Sequence, residues 1–289
     1  MKAYEYILAK QVQWAINHDI TLISSKGERG RPAYTSELKQ NLFEPLEPEM
    51  LECFKKGDGG EIIGSPDSPA KMQTVHSSSA LGVNIFQYWQ RIGQVPVIAA
   101  ACGFCRKGNN TSKKIVFEDK YPIDEKKFRF APNIDVVICN SDSAKVKRFA
   151  IECKFTEAYT SRGHLGIKHK YINFNEIWKD IPSIYDLAKS LCPDDNKFLY
   201  LHSAQLVKHI LGLKKEFGKE GFRLLYLWYD VLGEEGAIHR KEIEAFSEVV
   251  RSDDVKFHAL SYQELIVKLS NEYRSDHGKY IKYISGRYL

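Results

Sequence analysis

The sequence predicts an α/β fold: a mixed central β-sheet flanked by helices, with an N-terminal helical extension. Three apolar runs of strand length follow one another directly, and beyond them helical and strand patterns alternate to the end. The chain is also large enough to cover such a sheet. Its 289 residues are 43% hydrophobic and 27% charged, and with Phe 15, Tyr 16 and Trp 4 it is too aromatic to be disordered overall. The longest apolar run, Val95–Phe104, is about half of what a bilayer crossing requires, so no membrane span is expected.

Residues 1–71 read as a lead-in packed on a main domain of residues 72–289. A helix is predicted over about Tyr4–Asn17. The stretches Ser24–Tyr34 and Lys55–Lys71 are rich in Gly, Pro and Ser, and Pro45 and Pro48 between them exclude one long helix. His76–Arg91 offers a serine cap and apolar residues at Leu81, Ile85 and Trp89, a helical spacing. Pro96 opens a second short helix that Gly103 ends. The strand-length runs are Ile115–Glu118, Ile134–Cys139 and Arg148–Phe155. A helix over Ser203–Phe217, a buried strand over Phe222–Val231, a helix over His239–Val250, a strand over Val255–Leu260 and a helix over Tyr262–Tyr273 complete the pattern. The tyrosine- and lysine-bearing tail that follows reads as a packed terminal helix.

The net charge is +5 and the isoelectric point about 8.7, compatible with a polyanionic partner without requiring one. Two stretches are basic and free of acids: Arg106–Lys114, with Arg106, Lys107 and Lys113, and Thr160–Lys170, with Arg162, Lys168 and Lys170. Six cysteines without a framework suit a reducing compartment. The first residues, MKAYEYILAKQVQW, have no apolar secretory core, so a cytoplasmic location is expected. Cys102 and Cys105 form a lone CxxC with no second pair at zinc-like spacing, and the glycines at 57, 59, 60 and 64 match no phosphate-binding loop.

The second and third strands, joined by the polar loop Asn140–Lys147, should pair as an antiparallel hairpin. If Cys139 faces Arg148, Asp135 sits opposite Glu152. Opposite residues share a face, as do residues two apart, so Asp135, Glu152 and Lys154 project together while Val136, Ile138, Ile151 and Cys153 face the core. Two neighbouring carboxylates in a buried hairpin call for a cation. Asp135, Glu152 and the Cys153 carbonyl are hard oxygen donors suited to Mg²⁺ or Mn²⁺, with Lys154 placed to orient or deprotonate a water or to stabilise a phosphate. A plain ion pair of Lys154 with one carboxylate is the bland alternative. The acid-x-Lys pattern itself recurs, for example at Glu37, Asp124 and Asp254. Only Glu152 lies inside an apolar strand with an aspartate one hairpin upstream.

The segments APNIDVVI and FAIECKFTE resemble the PD-(D/E)XK nuclease superfamily, although Pro132 stands three residues before Asp135 and not beside it. With HSSSALGVNIF, VFE and HSAQLVKHILGL, residues 76–230 are also similar to an uncharacterised restriction-endonuclease-like subfamily. The resemblance implies a restriction-endonuclease-like three-layer core and metal-dependent hydrolysis of phosphodiester bonds, most plausibly in DNA. It makes Asp135 and Glu152 metal ligands and Lys154 the catalytic lysine. Glu118 is the candidate for a further acid, with Glu157 second, and Gln205 the polar residue reaching in from the following helix. The two basic stretches would contact phosphates. An inactivated binding module with the same fold is the alternative, opposed by the intact Asp/Glu/Lys set. DNA or RNA, endo- or exonucleolytic cutting, and monomer or homodimer all stay open.

Overall fold

A computed structural model describes residues 1–25, 32–56, 60–65, 68–160 and 164–289. The chain begins with α1 (Ala3–Ile16) and a two-residue ribbon of β1 (Leu22–Ile23) and β2 (Tyr34–Thr35). Proline then opens α2 (Pro48–Lys56). Helix α3 (Ser78–Arg91) starts where the Ser77 hydroxyl accepts the Ala80 N–H at 3.1 Å, as a serine N-cap does. A short α4 (Val95–Ala101) leads into three consecutive strands, β3 (Ser112–Lys120), β4 (Asn133–Asn140) and β5 (Arg148–Lys154). After α5 (His169–Ile172), α6 (Pro182–Ser190) and α7 (Ser203–Phe217) come β6 (Phe222–Trp228), α8 (Glu234–Ser252), β7 (Phe257–Ser261), α9 (Tyr262–Tyr273) and α10 (Gly278–Tyr288).

The main sheet has the order β3-β4-β5-β6-β7, antiparallel through β5 and parallel from β5 to β7. It is the expected mixed sheet between helical layers. Helix α3 covers the face bearing Val136 and Cys153, close enough that a side chain at Gly82 would touch both. Helices α7 and α8 cover the other face, where His209 meets Glu152 and His239 meets Tyr226. The lead-in joins this core: Ile7, Leu42, Met50 and Phe54 are buried in the same apolar cluster as the sheet.

Several boundaries differ from the sequence reading. The strand predicted to Val231 ends at Trp228, and α8 starts at Glu234, not His239. Gly233, at φ 97°, turns the chain, and Glu234 and Glu235 then occupy a first turn that favours negative charge. Helix α6 was not expected at all. Its free N–H groups are capped from far along the chain: the Asp253 carboxylate accepts Ser183 N–H at 3.1 Å and Ile184 N–H at 2.7 Å. The tail does form a packed helix, and it is pinned by a buried cation. The Arg287 guanidinium donates to Gln11 Oε1 (3.0 Å), the Asn41 carbonyl (2.9 Å) and the Val75 carbonyl (3.2 Å), and stacks against Trp14. Among the described residues, no helix is long and apolar enough to cross a membrane.

Candidate active site

The β4–β5 hairpin has the register the sequence implied, with Cys139 facing Arg148 and Val136 facing Ile151. One step further, at Asp135 and Glu152, the backbone ladder stops. The Asp135 carboxylate takes over, accepting the Cys153 N–H at 2.7 Å. A strand residue presents its N–H and C=O to the same side, so the Cys153 carbonyl also looks towards Asp135.

Glu118 comes from the adjacent strand. Phe117 pairs with Val136 and Asp119 with Ile134, which brackets Glu118 against Asp135. Glu118 has φ 55°, a left-handed conformation that costs a residue with a side chain, and it interrupts the ladder at this rung. Asn133 donates its side-chain N–H to Glu118.

Glu152 is fully buried beneath α7. Its Oε1 accepts from Lys154 Nζ at 2.6 Å and its Oε2 from His209 Nε2 at 2.8 Å. The ion pair that the sequence offered as the bland alternative therefore exists, with a second donor opposite it. Burial would push the Glu152 carboxyl up, but the Lys154 ammonium and His209 outweigh it and hold it below the usual carboxylate range. Asp135 goes the other way. Burial, then the charge of Glu152, then Glu118 raise its carboxyl well above the ordinary value, against the pull of Lys154. Burial would lower Lys154, yet Glu152, Asp135 and Glu157 together raise it, so it stays an ammonium. Acids from three elements thus surround one buried lysine. Glu157, in the turn after β5, accepts Phe155 N–H at 3.2 Å.

Gln205 is half-buried on α7 and lines a cleft of about 590 Å³ beside this cluster. Asn133, Glu157, Lys168, Lys170, His202, Lys208 and His209 share the lining. His209, Lys208 and His202 were given no role from the sequence. The signal was present in part: Gln205, Lys208 and His209 sit at helical spacing on one side of α7, a polar face beside its apolar stripe. His202 is mostly buried, which together with the Lys154 charge lowers it to about 3 and keeps it neutral.

The two basic stretches separate. Lys168 and Lys170 reach the cleft. Arg162 lies outside the described residues. Arg106, Lys107 and Lys113 were expected beside the site and are not. Ser112 pairs with Asn140 and Lys114 with Cys139, at the far end of the sheet from Asp135, and Lys107 is engaged by Glu272 at 3.1 Å. The chain enters β3 at the Asn140 end and Glu118 lies near its other end, so the length of the strand separates this stretch from the site.

A family model described as Restriction Endonuclease associating with ARP matches residues 8–289. The chain belongs to this family. No curated protein and no solved structure matches it. For this restriction-endonuclease family member, the match spans both the lead-in and the sheet, and the five-stranded mixed sheet with helices on both faces is consistent with a restriction-endonuclease-like core. Among the described residues, no group of three or more His, Cys, Asp and Glu side chains is placed so that it could hold a metal ion. The donor chemistry of Asp135, Glu118, Glu152 and the Cys153 carbonyl nonetheless suits a hard divalent cation, because all are oxygens and burial, together with the charges of Glu152 and Glu118, already raises Asp135. The lone Cys102 and Cys105 are both free thiols, Cys102 buried.

Proposed function

We propose that this protein is a Mg²⁺- or Mn²⁺-dependent nuclease of the PD-(D/E)XK type, hydrolysing phosphodiester bonds in DNA. The observation that supports it most is the Asp135 carboxylate bonded to the Cys153 N–H while Glu152 and Lys154 pair on the same hairpin end. Asp135, Glu152 and the Cys153 carbonyl would hold the cation, with Glu118 as the further acid. When bound, the cation would acidify a water and polarise a phosphoryl oxygen. Lys154, kept charged by the acids around it, orients the water and stabilises charge developing on the phosphate. His209 fixes the carboxylate of Glu152, and Gln205 offers an amide to the water or phosphate from the cleft side. Every one of these residues lies in 72–289, which we take as the nuclease core, with 1–71 as its extension. We extend to this chain the association with ARP that the family description names.

The test is the fate of supercoiled circular and linear DNA with the purified protein in Mg²⁺, Mn²⁺ or EDTA. Nicking or linearisation in either metal and none in EDTA is the expected result. A folded protein that leaves all substrates intact in both metals overturns the reading in favour of a binding module.

A further inference from the structure

Two large apolar side chains stand in water at the cleft beside the acid–lysine cluster: Phe130 is 71% exposed and Leu165 is 81% exposed. Single exposed apolar residues are ordinary. These two line one cleft with Lys168, Lys170 and Lys208, and their backbones are braced. Leu165 bridges to Asp194, Ile167 N–H donates to the Leu191 carbonyl at 2.9 Å, and His164 Nε2 bonds the Leu199 carbonyl at 2.6 Å. Gly166 between them lies so close to the next segment that a Cβ would stand 2.0 Å from the Leu191 oxygen, so the segment cannot swing inward around a bulkier residue. Phe130 is flanked by Phe128, which is buried and stacked on Tyr171 at 4.2 Å, and by Pro132, whose carbonyl accepts Tyr121 N–H at 3.0 Å. The fold thus spends packing on holding two apolar groups outward among cations.

Flat apolar faces beside a polyanionic backbone are what a nucleic acid offers once a base has left its stack. We infer that Phe130 and Leu165 contact an unstacked base of the DNA while Lys168, Lys170 and Lys208 contact its phosphates, so that the cleft takes a locally opened duplex. This rests on the nuclease reading above and adds the form of the substrate to it.

The experiment uses the full chain in EDTA, so that binding is read without cleavage. A set of duplexes carries the fluorescent base 2-aminopurine at successive positions. Wild-type protein should brighten at least one of them, because unstacking relieves quenching. Phe130→Ala with Leu165→Ala, both on the surface, should abolish the brightening and weaken binding about tenfold, the effect of losing a stacked base. Lys168→Ala with Lys170→Ala should lower the log–log salt slope of binding by about 0.9 per lost phosphate contact. Duplex bound with no brightening at any position, or the same brightening in the Phe130/Leu165 variant, overturns the inference. Preference for RNA over every duplex overturns it too. Brightening without metal-dependent cleavage would sink the nuclease reading alone, and cleavage without brightening would sink this inference alone.

Discussion

Lys154→Ala is expected to reduce metal-dependent DNA cleavage by about 10²–10⁴-fold, the usual effect of losing a positioned acid–base or charge-stabilising group. Both carboxylates remain, so metal binding, followed by calorimetry, should persist. The structure adds a cost that chemistry alone would not suggest. Lys154 is the close cation on the fully buried Glu152, and removing one partner of a buried pair destabilises by about 3–5 kcal/mol. Lys154→Gln, which keeps a donor towards Glu152, separates the two effects: it should fold better than Lys154→Ala and cut no faster. Asp135→Asn should behave oppositely on stability. It keeps an oxygen for the Cys153 N–H but removes a negative charge facing Glu118 and Glu152, so the metal-free fold should gain about 1 kcal/mol while metal affinity and cleavage fall. A thermal melt together with a cleavage rate for each variant decides the matter. A folded Lys154→Ala protein cutting at the wild-type rate would reduce the lysine to a structural partner.

Arg287→Ala is expected to lower stability by about 3 kcal/mol or more, read as a large drop in the denaturation midpoint at unchanged slope. The guanidinium is buried and joins α10 to α1, to Asn41 and to Val75. Truncation leaves Gln11 Oε1, Asn41 Oδ1 and the Val75 carbonyl without the guanidinium donor, each worth about 1–3 kcal/mol when buried, and opens a void against Trp14. Arg287→Lys should recover little, because one ammonium cannot reach donors arranged for a planar fork. A midpoint within error of wild type would show that the lead-in and tail are held by apolar packing alone.

The hairpin was legible in the sequence because its information is local. Alternation along Ile134–Cys139 and Arg148–Phe155 fixes which side chains share a face, and a single assumed pair fixes the rest. Helix α7 was equally legible from its spacing, and so was the position of Gln205 on it. What the sequence did not reveal depends on partners far along the chain. Helix α6 is capped by Asp253, because its own N-cap position holds Ile181, which has no side-chain acceptor to announce a start. His209 lay in plain view as a polar residue in an apolar helix, but only the docking of α7 onto β5 shows that Glu152 is what it meets. The displaced Arg106, Lys107 and Lys113 illustrate the converse. Charge density along the chain says nothing about which end of a sheet a loop serves.

The bond from the Cys153 N–H to Asp135 makes the site observable in a way unrelated to catalysis. In an ordinary ladder that amide proton would be held by another backbone group and would report only on whether the sheet is open. Here its protection against exchange with solvent depends on a side-chain carboxylate, so a change in that carboxylate's company alters the exchange rate of one identifiable proton while its neighbours in β5 keep theirs. The Cys153 amide is a native reporter, readable by hydrogen exchange in the unmodified protein, of what Asp135 is bound to at any moment.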